Sequence, residues 1–312
     1  MPELPEVETI ARGLAKHVTG DVIESVWLGQ KKEPLKSPAS EIATTLEHTR
    51  IAAVHRMGKH IVFDLERVAR VPSPAKSQRE VRKRKGTVSK QSGSTVQAEA
   101  AGAGARLTIS SNGRAQWIVH LGMTGRLQVY EPKAEVAKHT HAILRLSSGK
   151  ELRFVDSRRF GRLSVVQAGD FGAAGVEPLE IELEPFLKLF RGRKTPIKSA
   201  LLNQKLLRGL GNIYADEALF RAGIRPRRRA ASITREQLGK LFLAVKEVLK
   251  EAIALGGSSI SDYVNSDGEA GFFQLQHRVY GREAEACLVC KSPIKRIVIA
   301  GRSSHYCPKC QK

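Results

Sequence analysis

Acidic residues are scarce in this chain. Among 312 residues, 31 Asp and Glu stand against 52 Lys and Arg, a formal charge of +21. That excess argues against the balanced surface of most metabolic enzymes and makes a polyanion the first partner to expect. Cysteine is scarcer still: four residues, all between positions 287 and 310, which removes a disulfide framework and turns attention to metal. Long apolar runs are missing as well. No stretch approaches the roughly 18 to 20 apolar residues of a membrane span, and no apolar segment near the N-terminus resembles a secretion signal. A soluble, intracellular, cytoplasmic protein with no membrane partner is expected. What is present, 41% hydrophobic residues, is enough to give two compact domains a core each.

The periodicity predicts an α+β fold. Val7, Ile10, Ala11, Leu14 and Val18 fall at helical spacing behind Pro5, so an amphipathic helix opens the chain. Short, partly alternating segments follow at 22–28, 51–57, 60–65, 117–121, 127–130, 142–146, 151–155 and 163–166, the pattern of a mostly antiparallel β domain. Between Arg67 and Arg106 that pattern collapses: the segment has no Leu, Ile, Met, Phe, Trp, Tyr or Cys, and ten Lys or Arg against two Glu. Such a composition cannot offset its ordering entropy and reads as a disordered basic insertion, either a passive solvated loop or an auxiliary nucleic-acid tether. After Gly169 the spacing turns helical at 184–190, 197–206, 214–222 and 234–255. Thr234 with Gln237 suggests a capping box on the last of these, and Gly256-Gly257 its end. Three domains are expected, at 1–172, 173–270 and 271–312.

Cys287, Cys290, Cys307 and Cys310 form C-x2-C-x16-C-x2-C. Two knuckles of two thiolates suit one tetrahedral structural Zn, and the residues between them suffice for a β-hairpin. An iron-sulfur site or two vicinal redox dithiols are the alternatives. Lys291, Lys295, Arg296 and Arg302 give the hairpin a basic face suited to nucleic acid. With four thiolates available, His277 and His305 are expected at the surface or facing phosphate.

At the other end, Pro2 is small enough to permit removal of Met1, which frees a secondary amine. An α-amine has a pKa of about 8 against about 10.4 for Lys, so about a tenth is unprotonated near pH 7. That is a Schiff-base nucleophile, with Glu3 and Glu6 beside it to donate and orient a proton. Taken alone, these residues equally well start a helix, whose positive dipole end favours carboxylates.

The start MPELPEVETIARGL, the stretches HLGMTGRL (120–127) and DSRRFGRL (156–163), LLNQKLLRGLGNIYADEALFRAGI (201–224), SDGEAGFF (266–273) and the terminal Cys knuckles together resemble the formamidopyrimidine-DNA glycosylase family. The resemblance covers nearly the whole chain apart from the basic insertion. It implies an N-terminal β-sandwich carrying the first helix, a helix-two-turns-helix domain and a zinc-finger hairpin. It also implies a base-excision repair enzyme of the bacterial cytoplasm, associated with the nucleoid and acting on damaged double-stranded DNA as a monomer. Such an enzyme removes 8-oxoguanine and formamidopyrimidines and then cuts the strand by β- and δ-elimination, with no small-molecule cofactor.

By the same resemblance, Pro2 attacks the sugar C1′, Glu3 protonates the ring oxygen and Glu6 supports the site. Lys59 lies near lesion and phosphate, and Arg302 serves the δ-elimination. Met123, Arg158 and Phe160 fill the gap left by an extruded base, and a thioether, a planar cation and an aromatic ring suit that work. If 158–160 is a strand, Arg159 faces away from Arg158 and suits a phosphate clamp. Asn212, His139 and Lys194 match DNA-contacting positions. Gly209 and Gly211 permit a close backbone approach, with helix NH groups directed at an anion.

Three departures stand out: the insertion itself, Glu269-Ala270 where relatives often carry Lys-Pro, and Gly175-Val176-Glu177-Pro178 at the hinge, a change expected to loosen it. An endonuclease VIII-like enzyme for oxidised pyrimidines is the runner-up. Leu4, and the intact DSRRFG stretch, weigh against it. A non-catalytic zinc-dependent DNA-binding protein is the alternative from another class.

Overall fold

The computed structural model describes residues 1–70, 107–172, 174–259 and 263–312. Helix α1 (Leu4–Val18) is followed by β1 (Ile23–Leu28), a short α2 (Ala39–Leu46), β2 (Thr49–Met57), β3 (His60–Arg70), β4 (Leu107–His120), β5 (Arg126–Tyr130), β6 (Thr140–Leu146), β7 (Glu151–Val155) and β8 (Arg162–Gln167). These strands form two four-stranded antiparallel sheets, in the orders β1-β6-β7-β5 and β2-β3-β4-β8. Their inner faces share one core. Ile51, Phe63, Trp117 and Leu163 from one sheet meet Leu127, Leu144 and Phe154 from the other, and α1 adds Val7, Ile10 and Leu14. This is the predicted sandwich.

Of the predicted 67–106 insertion, 71–106 lie outside the described residues. Residues 67–70 correct the expectation: they continue β3, with Val68 opposite Ile109 and Arg70 opposite Leu107. A ladder bonds through backbone groups and does not need the apolar side chains whose absence suggested a loop. Helix α2 was not predicted. It buries only Ile42 and Leu46, too few positions to register as a periodicity.

The helices α3 (Leu183–Phe190), α4 (Ile197–Leu201), α5 (Asn212–Arg221) and α6 (Arg235–Ala254) build a second core around Phe186, Leu201, Tyr214, Leu219 and Leu249. The capping box of α6 is present: Thr234 Oγ1 accepts from Gln237 N, and Gln237 Oε1 accepts from Thr234 N, both at 3.2 Å. The helix predicted over 197–206 stops at Leu201. From there the chain turns back so that Leu206 O accepts from Val176 N at 3.0 Å, and Leu206 and Leu207 are buried without helical geometry.

Glu177, 5% exposed, holds Arg56 at 2.7 Å and Arg208 at 2.8 Å and accepts from Gly58 N at 2.8 Å. The chain ends in the hairpin β9 (Lys295–Ile299) and β10 (Arg302–Tyr306). No helix among the described residues is long and apolar enough to cross a membrane.

Helix α1 belongs to both cores. Leu4 is fully buried among the second core's residues, whereas Val7 and everything after it on the buried face sit in the sandwich. Pro2 and Glu3 are therefore placed where the two halves meet.

Candidate active site

A cavity of about 1060 Å³ opens at that junction. Its wall includes Pro2, Glu3 and Glu6 from the start of the chain, Lys59 from the β2–β3 turn, and Met123 from the β4–β5 turn. Asn212 from α5 and Arg302 from the finger hairpin complete it. Seven residues from five separate stretches of sequence are thus brought together.

Pro2 is buried, with Met1 47% exposed in front of it. Glu3 is 5% exposed, and burial pushes its carboxyl up to about 7; Lys59 nearby opposes that rise and Glu6 adds to it. Ile213 N, at the start of α5, reaches Glu3 Oε1 at 3.4 Å, while the buried Oε2 meets no hydrogen-bond partner among the described residues. A carboxyl half protonated near neutrality with one free oxygen is suited to deliver a proton into the cavity.

Glu6 is 2% exposed and fully engaged. It accepts from Glu3 N at 2.7 Å, from Ser258 N at 2.8 Å and from the hydroxyl of Tyr214. Burial raises its pKa too, against those three donors. These bonds tie its carboxylate to the backbone of Glu3 and leave it occupied on both oxygens. Lys59 sits half-buried in the two-residue turn between β2 and β3, and burial lowers its pKa, with Arg302 lowering it further and Glu3 opposing. Burial here destabilises the charged ammonium, which an incoming anion would stabilise again.

Gly211 makes the arrangement possible. A Cβ there would lie 2.0 Å from Glu3 Cδ, and Gly209, at φ +88°, accepts through its carbonyl from Leu4 N at 3.0 Å. The close approach read from these glycines is therefore made, in this structure, by the chain's own Glu3 carboxylate.

Met123 and Phe160 are 44% and 51% exposed and so not core residues. The loop carrying Phe160 is not a strand. Arg159 has φ +57°, and the guanidinium of Arg158 lies 4.8 Å over the Phe160 ring. Arg158 and Arg159 are therefore not set on opposite faces of a strand, as expected, but are both exposed residues of one turn. That turn rests on Gly122, where a Cβ would meet the Phe160 backbone at 2.5 Å. The fully buried Asp156 ties the two together, accepting from Thr124 Oγ1 at 2.5 Å, Arg158 N at 3.2 Å and Gly161 N at 2.8 Å. His139 and Lys194 are exposed and away from the cavity wall, although the His139 carbonyl accepts from Asp156 N at 2.9 Å.

The Sγ atoms of Cys287, Cys290, Cys307 and Cys310 lie within 4.8 Å of one another. Tetrahedral Zn with bonds of about 2.3 Å needs thiolates about 3.8 Å apart, and the separations of 3.9 Å for Cys287–Cys310 and 3.3 Å for Cys290–Cys307 fit it. Lys291, Lys295, Arg296 and Arg302 are all exposed on this finger. His277 and His305 are not: they are 9% and 7% exposed, which corrects the surface placement. His277 pairs with Ser258 Oγ at 3.0 Å, and burial drops its pKa to about 4.

Family models match three successive parts of the chain: the formamidopyrimidine-DNA glycosylase N-terminal domain over residues 1–163, that enzyme's H2TH domain over 174–264, and a zinc finger found in FPG and IleRS over 284–312. A formamidopyrimidine-DNA glycosylase of Solibacter usitatus is 42% identical over 314 residues, with both chains covered in full. The chain belongs to the formamidopyrimidine-DNA glycosylase family. Its fold agrees with the MutM (Fpg) protein of Thermus thermophilus at a TM-score of 0.76 and 36% identity, covering 99% of this chain and 98% of that one. It agrees with a Lactococcus lactis FPG mutant, in complex with a Fapy-dG-containing DNA, at 0.79 and 28%, both chains covered in full. The four cysteines fit the structural zinc of the family's finger.

Sequence reasoning missed several residues that this glycosylase fold uses to build the site. Asp156 and Tyr214 look like an ordinary loop carboxylate and an ordinary core aromatic, and only tertiary contact shows what they hold. Lys198 and Asp216 form an ion pair at 2.6 Å with both side chains fully buried. Lys198 Nζ donates to Ser303 O at 2.6 Å, and Asp216 accepts from Ser304 Oγ and His305 N, so the pair fastens the finger strand beside Arg302.

Proposed function

We propose that the chain is a bifunctional DNA glycosylase and abasic-site lyase. It excises oxidised purines, 8-oxoguanine and formamidopyrimidines, from duplex DNA in base excision repair and works as a monomer. The observation that carries this reading is the burial of Pro2 on the wall of the junction cavity, one residue from a carboxyl with a pKa of about 7.

With Met1 removed, the Pro2 amine attacks C1′ of the extruded nucleotide as the bond to the base breaks, and the proton that the amine gives up goes to the departing base. Glu3 gives its proton to the ring oxygen, which opens the sugar and leaves an iminium carbon on Pro2. The iminium acidifies the C2′ proton, and loss of that proton expels the 3′ phosphate. A second elimination releases the 5′ phosphate, with Arg302 and Lys59 facing the departing anions. Glu6, held by three donors, keeps Glu3 aligned. Met123, Arg158 and Phe160 occupy the vacated stack, while Asn212, Arg159, His139 and Lys194 hold backbone phosphates. The zinc ion folds the finger that presents Arg302; the chemistry falls to the chain's own groups.

Borohydride trapping of untagged protein tests this reading, on matched duplexes carrying 8-oxoguanine opposite cytosine, an oxidised pyrimidine or no lesion, with the adduct mapped by mass. A preferential adduct at Pro2 on the 8-oxoguanine duplex is expected. An adduct confined to the pyrimidine duplex reassigns the substrate class, and no adduct on any duplex leaves a non-catalytic DNA-binding protein.

A further inference from the structure

The segment Tyr263–Glu269, which follows α6, lies against α1 of the sandwich. Ser266 is 3% exposed and sits directly over Gly13: a Cβ at Gly13 would be 1.9 Å from Ser266 Oγ and 3.1 Å from its Cβ. One turn along α1, His17 Nε2 lies 2.7 Å from Asp267 Oδ1. From β5, Gln128 Nε2 donates to Asn265 O at 3.4 Å. The segment is also braced internally. Asn265 Oδ1 accepts from the backbone NH of Asp267 and of Glu269, each at 2.9 Å, and Asn265 N donates to Glu269 O at 2.8 Å. A turn tied in that way shifts as one piece.

At its leading end, Tyr263 and Val264 line the junction cavity. Tyr263 Oη donates to Gly256 O at 3.0 Å and reaches Glu6 O at 3.4 Å. Where the turn rests on α1 therefore sets where this part of the cavity wall stands. Glycine inside a helix works against the helix, since it has more backbone freedom to lose than any other residue. Gly13 occupies the middle of a 15-residue helix. Its structural return is the room it leaves for Ser266.

We propose that Gly13 is a positioning residue. By lacking a side chain it lets Ser266 seat on α1, and the seated turn holds Tyr263 and Val264 as the wall against which the extruded base rests. This rests on the reading that the cavity takes a damaged nucleotide. Rotating Ser266 clears its hydroxyl from a methyl at position 13 but leaves the two Cβ atoms at 3.1 Å, inside the usual carbon–carbon contact of about 3.5 to 4.0 Å. The turn must then give by a few tenths of an ångström, and, braced as it is, it carries the wall with it.

The test uses full-length Gly13→Ala, which favours the helix and so does not threaten the fold, and the double variant Gly13→Ala/Ser266→Gly. Excision from an 8-oxoguanine duplex is expected to lose about tenfold in kcat/KM, mainly through KM, while cutting of a preformed abasic duplex stays within about twofold of wild type, because no base is there to rest on the wall. The double variant restores excision. Amide exchange over residues 263–269 should quicken in Gly13→Ala and slow again in the double variant. Wild-type excision by Gly13→Ala, an equal fall on both duplexes, or no rescue overturns the proposal. If wild type processes neither duplex, the functional reading fails by itself, and unchanged amide exchange in Gly13→Ala then overturns the seating of the turn.

Discussion

The carboxylate of Glu3 occupies the space that a side chain on Gly211 would fill, with Glu3 Cδ 2.0 Å from the position of the missing Cβ. The acid beside Pro2 is thus held by an absence on the other half of the molecule. Gly211→Ala should push the carboxyl away from the start of α5. Excision is expected to fall by about a hundredfold, since misplacement of about 1 Å at a reacting group costs that much. Stability should fall by only about 1 kcal/mol for the altered helix start. Single-turnover excision beside a thermal melt separates the two effects; equal excision would mean that Glu3 tolerates displacement.

Glu3 also makes stability depend on pH. Its folded pKa of about 7 exceeds the unfolded value of about 4.3. The folded state therefore holds the proton more tightly, and the associated stability is complete below about pH 4 and lost as pH rises through about 7. Glu3→Gln has no charge to bury. In denaturant titrations of chains retaining Met1, the variant should gain on wild type between about pH 4.5 and pH 8, by about 3 kcal/mol at the upper end. A difference that stays flat across that range would mean that Glu3 titrates as it does in water.

Asp156 predicts a coupled failure. Its two oxygens serve both the Met123 turn and the Arg158–Phe160 turn, so Asp156→Asn leaves at least one donor facing an amide NH2. The cost should be about 2 kcal/mol of stability. Affinity for a lesion duplex should fall more than affinity for an intact one. Parallel binding titrations and melts check this, and equal losses on the two duplexes would show that the turns do not read the lesion site.

Removing zinc should do more than melt a hairpin. The buried Lys198–Asp216 pair spends its remaining hydrogen bonds on Ser303, Ser304 and His305, and a buried pair that loses its surroundings is costly. Chelation, or Cys307→Ser, is expected to unfold the finger and lower the unfolding midpoint of the helical half while the sandwich melts unchanged. The salt dependence of DNA binding should also become shallower as the finger's cations are lost, each phosphate contact being worth about 0.9 in the log–log slope. Hydrogen exchange resolved along the chain, with metal content measured alongside, tests both parts.

Much of the molecule is legible in the sequence because its signals are local. Strand alternation, the Thr234–Gln237 box and the cysteine spacing each report on a few neighbouring residues, and each appears where expected. The failures occur where a distant partner decides. Leu206 is spaced like a helix residue but lies outside the helix, where its carbonyl accepts from Val176 N. Met123 and Phe160 stand exposed on two turns that the buried Asp156 ties together, and nothing in the sequence near Met123 points to that tie. His277 and His305 look like surface and are buried by the finger's docking. Gly211 signals a close approach, yet nothing near it in sequence identifies Glu3 as the group that approaches.

Leu4 and Val7 lie one helical turn apart and in different cores, and the ribosome makes this matter. The N-terminal residues leave the exit tunnel first, yet the core that Leu4 joins has members as late as Phe273. The opening residues must wait through most of synthesis for their place. Glu3 remains in water, with an ordinary carboxylate's acidity, until the helical half closes over it. A half-made chain therefore lacks the buried acid that the finished fold supplies.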